Sequence, residues 1–525
     1  IESSGSHLHV PAVRESAAPR WTAGKIATRI GIPLAAIAAA VFAWQALHLR
    51  SRIFGPAGPR PIHSIAVLPL ENLSADPQQE YFADGMTEAL TNDLSKIGAL
   101  RVISRTSAML YKNAHKPLPQ IARELNVDAV VEGSVERVGD RVKINARLTE
   151  ASEDRNLWTN SYQRDMSDVL TLQSDVAAAI AAEIRVQLTP RESAGLAKSH
   201  PVNPKSYEAY LLGRYLWNKR TPEDLKAAVA EFKKAISLDP ASALAWAGLA
   251  DGYNLLEDQA VMPAREAMPL SEAAARKAIS LDDSLAEPHA SLASVEWNYD
   301  WDLDAAGKEF ARAIDLNPNY ASAREWHGLY LAQGVGRFDE AIEELERAQQ
   351  LDPLSPVIEA NVGRSYYYAH RYQKAADFLE QFSARHPDFW IAHALLGQTY
   401  LVMGRLPDAI RELEKARSLS PESARNLGTL GDAYGRAGRR ADALKLAAEL
   451  AERSKSGYVS PIYSAEIYMG IGDRAQALAF LEKAFGDRSD WMPQLKFEPE
   501  FDLMRDDPRF QALLRRVVPR AGASR

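Results

Sequence analysis

A chain of 525 residues is longer than one compact core supports, so two or more folded units are expected. A net charge of −7, with Lys and Arg scattered along the chain, leaves no basic stretch suited to nucleic acid. The absence of cysteine excludes disulfides, thiolate metal sites and cysteine nucleophiles and leaves the redox compartment open.

Residues 1–28 are rich in Ser, Ala and Pro without apolar period and read as a linker. His7 and His9 in it form an H-x-H pair with no further ligands nearby, and read as polar linker residues. Residues 29–50, "RIGIPLAAIAAAVFAWQALHLR", carry an uncharged run from Ile30 to Leu49. About 20 helical residues cross a hydrocarbon core of about 30 Å, so the run predicts a single transmembrane helix. Pro33 falls in its first turn, and Trp44 and His48 fall near the far interface. No small-x-small cleavage pattern follows, which favours a retained anchor over a secretory signal. The flanking charges, Arg14, Arg20, Lys25 and Arg29 before and Arg50, Arg52 and Arg60 after, do not set its orientation. Residues 51–63 hold Gly55, Pro56, Gly58, Pro59 and Pro61 and read as a second linker.

Residues 64–190 predict a small α/β domain. "SIAVLPL" suits a buried strand, and Met86, Leu90, Leu94 and Ile97 then recur at helical spacing behind Asp84, expected as the N-cap. A strand at "LRVIS" and a helix around "LPQIARELN" follow. Gly139-Asp140 separates two strand-like runs, the second alternating Val142, Ile144, Ala146 and Leu148, which is a two-residue hairpin signal. A strand at "LWTNSYQR" leads into a closing helix with Val176, Ile180, Ile184 and Leu188 on one face.

Residues 203–486 repeat with a period of 34. Gly363, Gly397 and Gly431 keep that spacing, as do Tyr366, Tyr400, Tyr434 and Tyr468, and Ala375, Ala409, Ala443 and Ala477. Pro353, Pro387 and Pro421 end successive units. Each unit predicts a helix hairpin, with small residues at close approaches, Tyr between neighbours and Pro stopping the second helix. Leu396, Gly397, Tyr400, Ala409, Leu413, Ala416 and Pro421 together resemble the tetratricopeptide repeat, in about eight copies. Residues 487–525 break the period and are expected to cap the last apolar face.

Catalytic and cofactor motifs are not found. "GIGDRA" at 470–475 matches a dinucleotide pattern but lies between two repeat helices, without the strand such a site needs, and reads as a turn. No metal, cofactor or catalytic residue is expected in this chain, and it does not read as an enzyme. Recognition is what a helical solenoid provides, because the first helices of its units line a concave face. Arg364, Gln398, Asp432 and Glu466 follow the small position in consecutive units and differ each time, which suits a ligand-facing row. Tyr367 lies near Arg364 on the same helix and adds an aromatic contact. Reversing Arg364 and Asp432 is expected to weaken partner binding with the fold intact.

"SIAVLPLENLSADPQQEYFADGMTEAL", "RVISRTSAMLYK", "VVEGSVERVGDRVKINARLTEASEDRNLWTNSYQRDMSDVLTLQSDVAAAI" and the repeat array resemble the TolB-like plus tetratricopeptide module of bacterial membrane-anchored signalling proteins. The resemblance spans about residues 64–519, with Leu70 where that family usually has Phe. It implies an output domain upstream of Ile1, most often winged-helix and DNA-binding as in CadC-like regulators, otherwise a kinase or nucleotide cyclase. It also implies an inner-membrane protein with residues 51–525 in the periplasm, binding a protein or peptide in the repeat groove. An envelope scaffold without an output domain is the rival reading. The resemblance carries over no catalytic residue.

Overall fold

The apolar run after the second linker forms strand β1 (Ser64–Val67), buried along its whole length within a six-stranded sheet. The computed structural model describes residues 61–74, 76–197, 201–259 and 261–517. The span expected at 29–50 lies outside them, and among the described residues no helix is long and apolar enough to cross a membrane.

Strands β2 (Glu71–Asn72), β3 (Arg101–Val102), β4 (Ala129–Val138), β5 (Arg141–Glu150) and β6 (Arg155–Asp165) complete the sheet in the order β3-β1-β4-β5-β6, with β2 alongside β4. β1 runs parallel to β3 and β4, whereas β4, β5 and β6 form an antiparallel ladder. The β4–β5 hairpin closes through Gly139-Asp140, with Val138 opposite Arg141 and Gly139 at a φ of +60°. That left-handed conformation is one glycine adopts without steric cost.

Five helices complete this part: α1 (Glu80–Ser95), α2 (Arg105–Met109), α3 (Leu118–Leu125), α4 (Val169–Glu183) and α5 (Pro190–Ala197). Phe82, Met86, Leu90 and Leu94 of α1 join Val169, Leu172, Val176 and Ile180 of α4 over one sheet face. Ile121 and Leu125 of α3 cover Ala66 and Val130 on the other. With both faces covered, β1 has no polar side to show, hence its unbroken apolar sequence. Asp84 is not an N-cap. The helix starts four residues earlier because Phe82 is core, and Asp84, 3 % exposed inside α1, pairs with Lys112 at 2.6 Å.

Eight helix pairs follow among the described residues. They are α6 (Pro204–Lys219) with α7 (Pro222–Leu238), α8 (Ala243–Asp258) with α9 (Ala264–Leu281), and α10 (Ala286–Val295) with α11 (Leu303–Leu316). Next come α12 (Ala321–Leu329) with α13 (Phe338–Leu351), and α14 (Pro356–Tyr368) with α15 (Tyr372–Arg385). The last three are α16 (Trp390–Val402) with α17 (Leu406–Leu419), α18 (Ala424–Arg436) with α19 (Arg440–Arg453), and α20 (Pro461–Gly470) with α21 (Arg474–Gly486). The "GIGDRA" glycine Gly472 sits in the last hairpin turn at a φ of +80°, with no strand before it.

The 34-residue period has a polar component as well as a packing one. The hydroxyls of Tyr366 and Tyr434 donate to Glu346 and Glu414 of the preceding helix at 2.9 and 2.7 Å, and Tyr400 does the same to Glu380. A cation covers each ring: Lys374, Arg405 and Arg439 lie 4.0 Å from the respective centroids. Each tyrosine thus fixes one hairpin to the next with its hydroxyl bonded rather than buried bare.

The sheet part and the array share a core. Tyr207 and Leu211 of α6 pack among the α1 and α4 side chains, and Gln173 Nε2 donates to the Tyr207 hydroxyl at 2.7 Å. Farther along, buried Asn319 in the turn after α11 donates to the carbonyls of Ser95, Ile97 and Leu100 at 2.9, 3.2 and 2.8 Å. Ser104 N donates to Leu351 O at 2.8 Å, and Leu354 N to Ser107 Oγ at 2.9 Å. The inter-repeat turns are therefore docking points for the sheet part.

The segment after α21 does two things. Helix α22 (Pro508–Val517) lays Phe510, Leu513 and Val517 on Leu478, Leu481 and Ala484, the covering role expected of it. Residues 489–504, expected to belong to that cap, instead turn inward along the first helices of the array. Phe497 packs on Phe338 at 6.0 Å between centroids and against Gly336, whose φ is +75° and whose absent Cβ would meet the Phe497 ring at 2.4 Å. The array also meets itself: Arg488 donates to Tyr299 O at 2.7 Å, Trp301 lies 5.3 Å from Phe485, and Arg265 bonds the Gly486 carbonyl.

Candidate functional site

The first helices of the fifth to eighth pairs, α14, α16, α18 and α20, present the five residues singled out from the sequence, and the structure divides these into two groups. Arg364 and Gln398 line a recess between α14, α16 and α18, together with Trp390, Ile391, Ala394, Leu395, Arg425, Asn426 and Thr429. Tyr367, Asp432 and Glu466 do not face solvent; they are 1 %, 0 % and 2 % exposed, beneath or beside residues 489–504.

The covered group is a buried polar cluster. Glu498 accepts the Tyr367 hydroxyl at 2.5 Å and also that of Tyr368. Arg436 pairs with Asp432 at 2.7 Å and donates to Glu500 O at 3.2 Å. Glu466 accepts from Thr429 Oγ1 at 3.4 Å. Burial and then the Asp432 charge push the Glu466 carboxyl up to about 8, and burial with the neighbouring Glu466 pushes Glu500 well above the carboxylate range. Burial and the Glu498 charge likewise raise the Tyr367 and Tyr368 hydroxyls, which stay protonated donors. The tail itself covers this stretch of the face. The expectation that reversing Asp432 leaves the fold intact does not survive, because Asp432 is the buried partner of Arg436.

The recess is small, about 40 Å³, and its charge is one-sided. Among the described residues neither Arg364 nor Arg425 has a hydrogen bond or ion pair; Arg364 Nε is buried without an acceptor, and Arg425 stacks on Trp491 at 4.3 Å. Burial and then the Arg425 charge pull Arg364 down to about 10, which still leaves it a cation at neutral pH. Asn426, 1 % exposed, donates from Nδ2 to Ala416 O at 3.3 Å, while its Oδ1 is buried without a donor. Arg425, Asn426 and Trp390 were not singled out from the sequence. A signal for Arg425 existed: Val357, Ile391 and Arg425 are equivalent positions 34 apart, and only the third is charged.

Among the described residues no group of three His, Asp or Glu side chains is placed to hold a metal ion. The recess lining sets two cations beside the apolar surfaces of Trp390, Ile391 and Leu395.

A family model for the tetratricopeptide repeat matches residues 302–356 and 363–424, and one for the TolB amino-terminal domain matches residues 57–157. The chain carries tetratricopeptide repeats behind a TolB amino-terminal domain. A curated relative, "Putative adenylate cyclase 3" of Rhizobium meliloti, is 33 % identical over 240 residues, which is 45 % of this chain and 40 % of that protein. The match thus spans less than half of the relative's length. Among solved structures, a tetratricopeptide repeat protein from Parabacteroides merdae is 17 % identical with a TM-score of 0.38, covering 51 % of this chain and 100 % of that one. YrrB, described as a TPR protein with an unusual peptide-binding site, is 25 % identical with a TM-score of 0.27, covering 36 % of this chain and 88 % of that one. The repeats point to protein–protein interaction as the task of the array.

Proposed function

We propose that this chain is the sensory and partner-binding portion of a membrane-anchored bacterial signalling protein, gripping a peptide or protein segment on the concave face of its repeats. The observation that carries the reading is the recess on that face, where two arginines, neither with a hydrogen bond or ion pair among the described residues, stand beside Trp390, Ile391 and Leu395. On this reading residues 30–49 anchor the chain in the inner membrane and residues 51–525 lie in the periplasm. The output part sits elsewhere in the same polypeptide. The relation to the Rhizobium meliloti protein favours a nucleotide cyclase there, whereas a winged-helix output rests on the resemblance alone. The chain itself then contributes recognition, not chemistry.

A photo-crosslinking residue placed at Ala394 in the recess wall, in the whole protein in native membranes, should yield a discrete adduct. The same residue at Lys445, whose side chain is 77 % exposed on α19, should not. Equal labelling from both positions would remove the concave face as the binding surface. Alkaline phosphatase fused after Arg525 should be active if the placement is right, and inactive fusion protein would reverse it.

A further inference from the structure

The six-stranded sheet has two ends, and the molecule treats them differently. At one end β3 is only two residues long and the array closes over it: Asn319 Oδ1 accepts from Val102 N at 3.4 Å, and Asn319 Nδ2 donates to Leu100 O at 2.8 Å. At the other end lies β6, 11 residues long, which among the described residues pairs with β5 and with no strand beyond it. A long open edge is a template for another strand, and folded chains commonly blunt it with proline, lysine or a covering element. β6, "RNLWTNSYQRD", contains neither residue, and from Leu157 to Gln163 it carries no charge.

Two hydrogen bonds mark the free side of this strand. Ser161 N donates to Asn160 Oδ1 at 2.8 Å, and Arg164 Nη1 donates to Gln163 O at 3.0 Å. These main-chain groups therefore turn away from β5 and are met only by exposed side chains next to them; by the alternation of an antiparallel ladder, Thr159 turns the same way. Trp158, Asn160 and Tyr162 stand opposite Leu148, Ala146 and Ile144, on the face covered by α1 and α4. The Trp158 and Tyr162 rings are half-buried at the rim of that core, with centroids 6.3 Å apart.

This stretch is complementary to itself. Laid antiparallel on a second copy about a two-fold axis through Asn160, Thr159 falls opposite Ser161 of the second copy, and each can exchange its outward N–H and C=O with the other. Trp158 falls opposite Tyr162 of the second copy on the same face, and the axis repeats both pairs. Directly opposed aromatic rings are among the favourable cross-strand pairs, and no like charges meet between Leu157 and Gln163.

We propose that two copies of this chain join edge to edge through β6, in the register that sets Trp158 against Tyr162 of the second copy, to make one continuous sheet. A two-fold contact uses the same edge of both copies, and the arrays close the β3 ends, so the assembly stops at a dimer. The inference is independent of the concave-face reading, and on the signalling reading it brings two output parts together.

The chain has no cysteine of its own, so single cysteine substitutions report geometry without background. In the full chain in native membranes, oxidised with copper phenanthroline, Asn160→Cys should give a disulfide-linked dimer. Its two copies form a directly opposed pair with Cα atoms about 4.5 Å apart, within disulfide reach. Gln163→Cys, about 20 Å from its counterpart in this register, should not link, nor should Lys445→Cys on exposed α19. Ser161→Pro removes an N–H that β5 does not use. It should leave circular dichroism of the detergent-solubilised full chain unchanged while light scattering falls from the mass of a dimer to that of a monomer. A parent chain of monomer mass would overturn the proposal, as would an Asn160→Cys chain that stays single or links to a different polypeptide. So would equal linking from Gln163→Cys or Lys445→Cys, or a Ser161→Pro chain that remains a dimer.

Discussion

The Tyr367 hydroxyl donates to Glu498 Oε1 at 2.5 Å, joining α14 to a carboxylate 131 positions later in the chain. Tyr368 donates to the other oxygen of the same carboxylate, so both acceptor atoms of Glu498 are taken by adjacent residues of one helix. The tail is held by a two-point grip.

Replacing both tyrosines by phenylalanine keeps the rings and removes both donors. Hydrogen bonds to a charged group contribute about 1.5–3 kcal/mol each, and a carboxylate stripped of them in a buried place is costly. Residues 489–504 should then exchange amide hydrogens and be cleaved by protease markedly faster than in the parent chain. Unchanged protection of that segment would show that Phe497 and Arg436 alone hold it.

Gly397→Leu should destabilise the chain by about 1–3 kcal/mol through overpacking. A Cβ at Gly397 would already lie 2.6 Å from Leu413 Cγ and 3.1 Å from Ala409 O, and backbone cannot yield as a side-chain tip can. Thermal unfolding of the full chain is the measurement, and an unaltered midpoint would contradict the packing.

Asp432→Lys should cost about 3–5 kcal/mol, because it leaves the Arg436 guanidinium facing a second cation where a paired carboxylate stood. Denaturant unfolding reads this directly. A variant as stable as the parent would mean that the Asp432–Arg436 pair is not buried as described.

Stability should fall as pH rises from about 5 to 8.5. Burial is the first cause lifting Glu466 to about 8, Glu325 and Glu296 to about 7, and Asp251 and Asp490 to about 6. Each keeps its proton in the folded chain at pH values where the unfolded chain has lost it. Their contribution is therefore complete below the ordinary values near 4 and is lost progressively as pH climbs through the folded values. Glu466→Gln should flatten the upper part of this slope, near pH 7–8. A midpoint that rises between pH 5 and 8.5, or a slope that the substitution leaves alone, would refute it.

Asn319→Ala should loosen the sheet part from the array. Its amide serves three carbonyls and accepts from Val102 N at 3.4 Å, and leaving such buried groups bare costs about 1–3 kcal/mol. Hydrogen exchange at residues 95–102 should rise more than in the helices of the fifth and sixth pairs. A uniform or absent change would show that the turn does not secure the docking.

What was legible in the sequence was whatever repeats or alternates. The 34-residue spacing of Gly397, Tyr400 and Ala409 and the alternation from Val142 to Leu148 each encode a packing rule that acts between neighbours. Asp84 misled because cap chemistry is local, while the helix start was decided by Phe82 entering a distant core. The row containing Arg364, Gln398, Asp432 and Glu466 reads as one surface in the sequence; yet which of its members meet solvent depends on a tail that begins 23 residues beyond the last of them. No period reports a contact between Tyr367 and Glu498. The run "KFEPEF" at 496–501, one proline between two acids and two aromatic rings, carries a hint that this tail is itself ligand-like in composition.

An array whose units touch only their neighbours can fray from either end, each terminal pair peeling away at the cost of one interface. The bond from Arg488 to Tyr299 and the packing of the Trp301 ring against Phe485 fasten the eighth pair to the third, so its last turn cannot lift off alone. Peeling must break a long-range clasp together with the local interface, and the reverse step cannot be completed until the C-terminal pair exists. Such a chain exchanges the graded unravelling of an open stack for a single threshold, and its second half has no finished groove until the eighth pair has been made.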